Sequence, residues 1–319
     1  MALVGPTASG KSGLALGLAR ARPDLEIVSV DSMSVYRGMD VGTAKPSALA
    51  RAEAPHHLLD LADPSEEFTV RRFQAGARAA LAGIEGRGHR ALLVGGTGLY
   101  LRAVVDDLQL PGRFPAVAAR LDADAETAGG LHELYERLVA LDPVAAGRTT
   151  PSNRRRIVRA LEVTIGSGRP FSSFGPGLEA YPPTDVRMAG IPFVAEIHDA
   201  RIEARFADLV AEGLVDEVRA LAGRPEGMSR TARQALGYRE VLAHLEDGVP
   251  LDQALEEAVR RTKAFARRQW AWFRRDPRIQ WLDPRGDLPA QLANVWDEAG
   301  GGVVQGHAAA GTVGKWAHG

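Results

Sequence analysis

Short apolar runs alternate with longer stretches of helical periodicity through the first hundred residues. Residues 2–4 (Ala-Leu-Val) form an apolar stub. Residues 26–30 (Glu-Ile-Val-Ser-Val) and 91–94 (Ala-Leu-Leu-Val) are further runs of strand length. Between them, Leu14, Leu16, Leu18 and Ala19, and then residues 68–84, carry helical character. Apolar strands linked by helices predict a parallel sheet with crossover helices, an α/β architecture. Ligands of such sheets bind beyond the carboxyl ends of the strands. Residues 5–12, Asp31 and Thr97 all fall there.

The alternation stops near Pro111. Residues 116–142 and 153–165 are expected to be helical, bounded by Pro143, Pro151, Gly166, Gly168 and Pro170. This predicts a helical insertion over residues 111–185, dividing a core of residues 1–110 and 186–299. Residues 186–191 return to the sheet, helices follow over 199–221 and 251–275, and residues 279–282 form a last strand. The Gly- and Ala-rich tail, residues 300–319, is expected to be disordered.

Composition narrows this picture only a little. Hydrophobic residues make up 45% and charged residues 25% of the 319, an ordinary globular balance. With no cysteine, disulfides and thiolate metal sites are excluded. No apolar run reaches the length of a membrane span, so a cytoplasmic, soluble chain is expected, with a monomer as the default state. The net charge of −1 lacks the global basic excess usual in nucleic-acid binders, so an RNA partner would need locally clustered charge. Two stretches offer it: Arg154-Arg155-Arg156 with Arg148 and Arg159, and a run from Arg260 to Arg275 interleaved with Phe265, Trp270, Trp272 and Phe273. The rings are expected to pack inward and the arginines to face RNA. His56-His57 lacks the spacing of a chelate and is expected to be structural.

Gly5-Pro6-Thr7-Ala8-Ser9-Gly10-Lys11-Ser12 matches the P-loop pattern GxxxxGK[ST] and lies between a strand and a helix. Such a loop turns successive backbone N–H groups toward one centre at the positive end of a helix. Lys11 supplies a compact ammonium in a chain where only four of 39 basic residues are lysines, and the Ser12 hydroxyl can ligate Mg²⁺. Asp31, after an apolar strand, has the place of a Mg²⁺ ligand in nucleotide-hydrolysing enzymes. On these residues alone, a small-molecule kinase is the natural reading.

The surrounding segments change it. The phosphate loop, then Asp31-Ser-Met-Ser-Val-Tyr-Arg-Gly38, Gly42-Thr-Ala-Lys-Pro46, Pro55-His-His-Leu-Leu-Asp60, Gly95-Gly-Thr-Gly-Leu-Tyr100, Arg159-Ala-Leu-Glu162, Gly237-Tyr-Arg-Glu240 and Arg267-Arg-Gln269 with a following Trp resemble the tRNA dimethylallyltransferase family in the same order. The resemblance implies a P-loop NTPase-like parallel sheet with flanking helices and a tRNA-binding helical insertion. It also implies Mg²⁺ as cofactor, with dimethylallyl diphosphate and tRNA as substrates. The acceptor would be N6 of the adenosine 3′-adjacent to the anticodon in tRNAs reading codons that begin with U. By the same resemblance, Thr7 to Ser12 hold the diphosphate, Asp31 is the base on the amine, Thr97 assists the leaving group or joins Ser12 at the metal, and Arg201 binds the diphosphate from the other side. Asp31, Ser32, Met33, Ser34, Thr97 and the segment Ser152, Asn153, Arg154, Arg155 and Arg156 would touch tRNA. One position departs from the pattern: the family usually has Gln where this chain has Ser34. An adenylate dimethylallyltransferase shares the donor chemistry, but a free nucleotide needs neither an insertion nor a basic C-terminal helix.

Overall fold

The structure, a computed structural model, describes residues 1–300; the expectation of a disordered tail at 300–319 concerns residues that, beyond Gly300, lie outside them. The chain begins β1 (Ala2–Val4), α1 (Lys11–Ala21), β2 (Leu25–Val30), α2 (Ala48–Glu53), β3 (His56–His57), α3 (Val70–Gly86), β4 (Arg90–Gly95) and α4 (Gly98–Val105). After the insertion come β5 (Met188–Gly190), and further helices and a sixth strand described below. All strand pairs are parallel, in the order β3-β2-β4-β1-β5-β6, with β6 at Ile279–Trp281.

Side chains alternate between the sheet's faces, as a strand period of two requires. Ala2, Val4, Val28 and Val30 join Phe73, Tyr100 and Val104 in one core, while Leu3, Ile27, Leu92 and Val94 meet Leu18 and Trp296 in the other. The three-layer arrangement buries both faces of the sheet. Register then places the chemistry. Val4 pairs with Gly95, Gly95 with Val30, and Val4 with Gly190. The ends of β1, β2 and β4 are therefore level, and the loops that leave them emerge side by side.

Several boundaries depart from the sequence reading for local reasons. The two-residue edge strand β3 has no apolar signature; it is held by pairing to Ile27 and Val28 and by His57, whose Nε2 lies 2.6 Å from Oε2 of the buried Glu26. The helix expected over 199–221 is two, α9 (Ala195–Ala211) and α10 (Leu214–Ala222), because Gly213 takes φ +99°, a left-handed conformation that ends one helix and caps the next. Short helices α11 (Arg230–Arg233) and α12 (Tyr238–Asp247) lead to the long α13 (Leu251–Phe273), and α14 (Leu288–Gly300) lays Trp296 into the core beside α1.

Residues 107–182 form a separate compact unit. The stretch expected as one helix over 116–142 is α5 (Pro115–Asp124) and α6 (Gly130–Leu141), with Gly129 at φ +81° starting the second, and α7 (Pro143–Gly147) and α8 (Arg154–Ser167) follow. Its own core gathers Leu121, Leu134, Leu138, Ile157 and Leu161. Asn153 caps the last helix by accepting the Arg156 N–H at 3.1 Å.

Candidate active site

The loop of residues 5–10 crosses from β1 to α1 with two left-handed residues. Gly10 (φ +87°) carries no penalty for this. Ala8 (φ +61°) is the strained member, of a kind that persists where surroundings over-determine the backbone. Ser9 is buried, and its Oγ has no hydrogen-bond partner among the described residues. The loop lines a cavity of about 710 Å³ together with Asp31, Ser34, Arg201, Arg205 and Gln269. An orphaned hydroxyl and the first backbone N–H groups of an eleven-residue helix form a donor set that suits phosphate oxygens, although the Thr7 N–H is already given to Gln269 and the Ser9 N–H to Pro6 O.

Lys11 donates from Nζ to Pro6 O at 3.0 Å. Burial of its ammonium lowers its pKa to about 8; Asp31 works against that shift and Arg205 adds to it. A bound anion would return Lys11 to full charge. From α9, the Arg201 guanidinium reaches across to Ala8 O at 3.5 Å. Arg205, one turn further, is half-buried in the same cavity, and burial draws its pKa down while Asp31 and Glu212 oppose the shift. Arg205 escaped the sequence reading, although the spacing Arg201-Ile-Glu-Ala-Arg205 already sets both guanidinium groups on one helix face.

Asp31 follows β2 directly. Its Oδ1 accepts the N–H groups of Met33 (2.7 Å) and Ser34 (3.1 Å), so it caps the turn that follows. No described residue donates to Oδ2, which is left to act on a ligand. Thr97 follows β4; its Oγ1 accepts the Ser32 N–H at 3.3 Å. A hydroxyl used as acceptor still has its proton to donate. Carboxylate and hydroxyl are thereby fixed to one another through residues 31–32. Ser34 is buried, lines the cavity and receives Asp60 N–H on its carbonyl, at 3.3 Å. Ser32 and Met33 are half-buried beside it.

The loop after Tyr36 is tied down by one distant carboxylate. Glu217 of α10 accepts the N–H groups of Asp40 (2.8 Å), Val41 (2.7 Å) and Gly42 (3.1 Å), and the Tyr238 hydroxyl as well. Lys45, its side chain 1% exposed, bridges Asp40, Asp60 and Tyr36 O. Thr43, Ala44 and Pro46 from this loop line the cavity.

The basic stretches differ from expectation in one respect: much of their charge is internally neutralised. On α13, Arg260 and Arg261 pair with Glu257, Lys263 with Glu203, and Arg267 with Asp199. Arg268, Arg274 and Arg275 are exposed and make no ion pair among the described residues. Three of the rings pack inward, Phe273 in the core, Trp272 against it and Trp270 edge-on to Trp281 at 4.7 Å, whereas Phe265 lines the cavity. In the insertion, Arg154 is committed to Asp122 and Glu126 at 3.2 Å, whereas Ser152, Arg155 and Arg156 are exposed. His56 and His57 hold backbone and Glu26, and among the described residues no cluster of three or more His, Cys, Asp or Glu forms a metal cage.

The loop of residues 5–12 stands level with a strand-end carboxylate and hydroxyl on an all-parallel α/β sheet, the place where proteins of this class bind their ligands. The IPP transferase family model matches residues 34–276. The tRNA dimethylallyltransferase of Kineococcus radiotolerans is 48% identical over 300 residues, covering 92% of this chain and 93% of the relative. That of Streptomyces coelicolor is 47% identical over 294 residues, covering 91% and 93%. Among solved structures, the tRNA isopentenylpyrophosphate transferase of Bacillus halodurans is 35% identical with a TM-score of 0.68, covering 93% of this chain and 95% of that one. This chain belongs to the IPP transferase family.

Proposed function

We propose that this protein is a tRNA dimethylallyltransferase: it moves the dimethylallyl group of dimethylallyl diphosphate onto N6 of the adenosine 3′-adjacent to the anticodon, in tRNAs reading codons that begin with U. The observation that carries the reading is Asp31, pinned through Oδ1, with Oδ2 left to act at the end of the strand beside the phosphate cradle. The family match over most of the chain supports it.

The bond from the allylic carbon to the bridging oxygen breaks as the carbon–nitrogen bond forms. Charge accumulates on the departing diphosphate, and preorganised donors act there: the loop amides with Lys11 on one side, Arg201 and Arg205 on the other. Thr97 gives its proton in a hydrogen bond to the bridging oxygen. The adenine amine has its lone pair delocalised into the ring, so Asp31 accepts its proton through Oδ2 as the new bond forms. The base must leave its stack to reach this carboxylate, and Ser32, Met33 and Ser34 follow Asp31 into that space. The serine at 34 leaves more room beside the extruded base than the usual glutamine. Ser152 to Arg156 contact the tRNA from the insertion.

The hydroxyls of Ser12 and Thr97, together with substrate phosphate oxygens, would suit Mg²⁺, since that ion keeps few protein ligands. When bound it neutralises charge on the leaving diphosphate. Among the described residues no helix is long and apolar enough to cross a membrane, and the reading has the enzyme working as a cytoplasmic monomer. Mass spectrometry of nucleosides from unmodified tRNA, incubated with enzyme, Mg²⁺ and dimethylallyl diphosphate, tests it. The expected product is N6-dimethylallyl adenosine with release of diphosphate. Turnover of ATP in place of the allylic donor would refute it.

A further inference from the structure

Helix α13 sends one polar side chain into the catalytic core to which the mechanism above gives no task. Gln269 is buried, and both ends of its amide are used. Oε1 accepts the Thr7 N–H at 2.8 Å, and Nε2 donates to Gly96 O at 2.9 Å. Thr7 belongs to the phosphate loop after β1; Gly96 is the residue before Thr97 after β4. A single amide, with a donor at one end and an acceptor at the other, therefore spans the two loops.

The fit around it leaves no slack. A Cβ at Gly96 would overlap the Gln269 amide, and one at Gly98 would overlap the Trp272 indole. These glycines let α13 seat directly on the strand ends. The bridge does not serve either loop's local backbone alone, because its partners are 262 and 173 residues away along the chain.

We propose that Gln269 is a positioning residue of the transfer reaction. It sets the spacing between the loop that holds the diphosphate and the hydroxyl that meets its bridging oxygen, and acts through those two loops. The proposal rests on the transferase reading. Donors aimed at developing charge work only when they stand where the charge will be, and a displacement of about 1 Å can cost on the order of 10²-fold in rate.

Two variants separate positioning from simple packing. Gln269→Leu keeps bulk and removes both hydrogen bonds. Gln269→Glu keeps shape and the acceptor for Thr7 N–H; when ionised it sets oxygen against Gly96 O, and when protonated it regains a donor. Single-turnover transfer from dimethylallyl diphosphate to tRNA is measured for wild type and both variants from pH 5.5 to 8.5, with tRNA affinity and thermal midpoint measured alongside. We expect Gln269→Leu to lose roughly 10- to 100-fold in the transfer rate, with tRNA affinity within about twofold of wild type. We expect the ratio of Gln269→Glu to wild type to climb as pH falls. A wild-type rate in Gln269→Leu overturns the proposal, and so does a Gln269→Glu ratio flat across pH. Losses of rate, tRNA affinity and thermal midpoint that run in step also overturn it. A wild-type protein that transfers nothing would instead strike the transferase reading itself.

Discussion

Replacing Asp31 by Asn separates what that side chain builds from what it does. The asparagine Oδ1 can still accept from Met33 and Ser34, so the turn that Asp31 caps survives. Two things are lost. The first is the proton acceptor: a positioned base contributes about 10²- to 10⁴-fold, or roughly 3–5 kcal/mol. The second is a negative charge that sustains two buried cations. Asp31 offsets the burial that lowers Lys11 to about 8 and that also draws Arg205 down. Without Asp31, Lys11 shifts further toward neutrality, and an uncharged amine holds the diphosphate less well. The deficit of Asp31→Asn should therefore widen as pH rises, on top of a constant loss in the chemical step. Single-turnover transfer at saturating tRNA, across pH and across a Mg²⁺ titration, measures both. A loss smaller than about fivefold would refute the base assignment, since general bases contribute far more. Restoration of the rate by excess Mg²⁺ would make Asp31 a metal ligand instead.

Arg205→Ala should raise the KM for dimethylallyl diphosphate by about tenfold or more, because charge-assisted hydrogen bonds to phosphate contribute roughly 1.5–3 kcal/mol each; an unchanged KM would remove Arg205 from the donor site. Replacing Arg155 and Arg156 by Ala should flatten the salt dependence of tRNA binding by a logarithmic slope of about 0.7–0.9 per lost contact. Arg154→Ala should do less, since Asp122 and Glu126 already hold that side chain; equal effects from all three would contradict this. Glu26 is held down to about 2 by Arg87, His57 and His89, against an ordinary 4.5, so it stabilises the fold above pH 4.5 and loses that contribution as pH falls toward 2. In urea unfolding across this window, wild type should lose about 3 kcal/mol more than Glu26→Gln does; equal losses would contradict the assignment.

The placement carried by short local sequence was legible: the glycine spacing of residues 5–12 marks a loop between β1 and α1, and Asp31 and Thr97 stand where the apolar strands β2 and β4 stop. The sheet's register then brings them level, which apolar runs alone do not specify. Charge was the least legible property. Arg260, Lys263 and Arg267 look like a basic stripe in the sequence, but Glu257, Glu203 and Asp199 neutralise them, two of these from a helix some sixty residues earlier. The tie between Gln269 and Thr7 is longer still and has no local signature. Helix ends at Gly129 and Gly213 were missed because a glycine inside a periodic pattern declares a break only through its φ.

The insertion departs after Asp106 and the chain rejoins the first unit at Pro183, just ahead of β5. Asp106 is itself locked, paired to Arg102 and Arg278 within the first unit, so the exit is a fixed post. A segment with its own core, spliced at a fixed exit and close to a strand start, can change in length or sequence at little thermodynamic cost, since each doubling of a closed loop costs only about 0.6 kcal/mol. Heredity can thus revise the inserted unit and the strand-end chemistry separately. Descendants of this chain can rework the inserted unit while leaving the strand ends as they are.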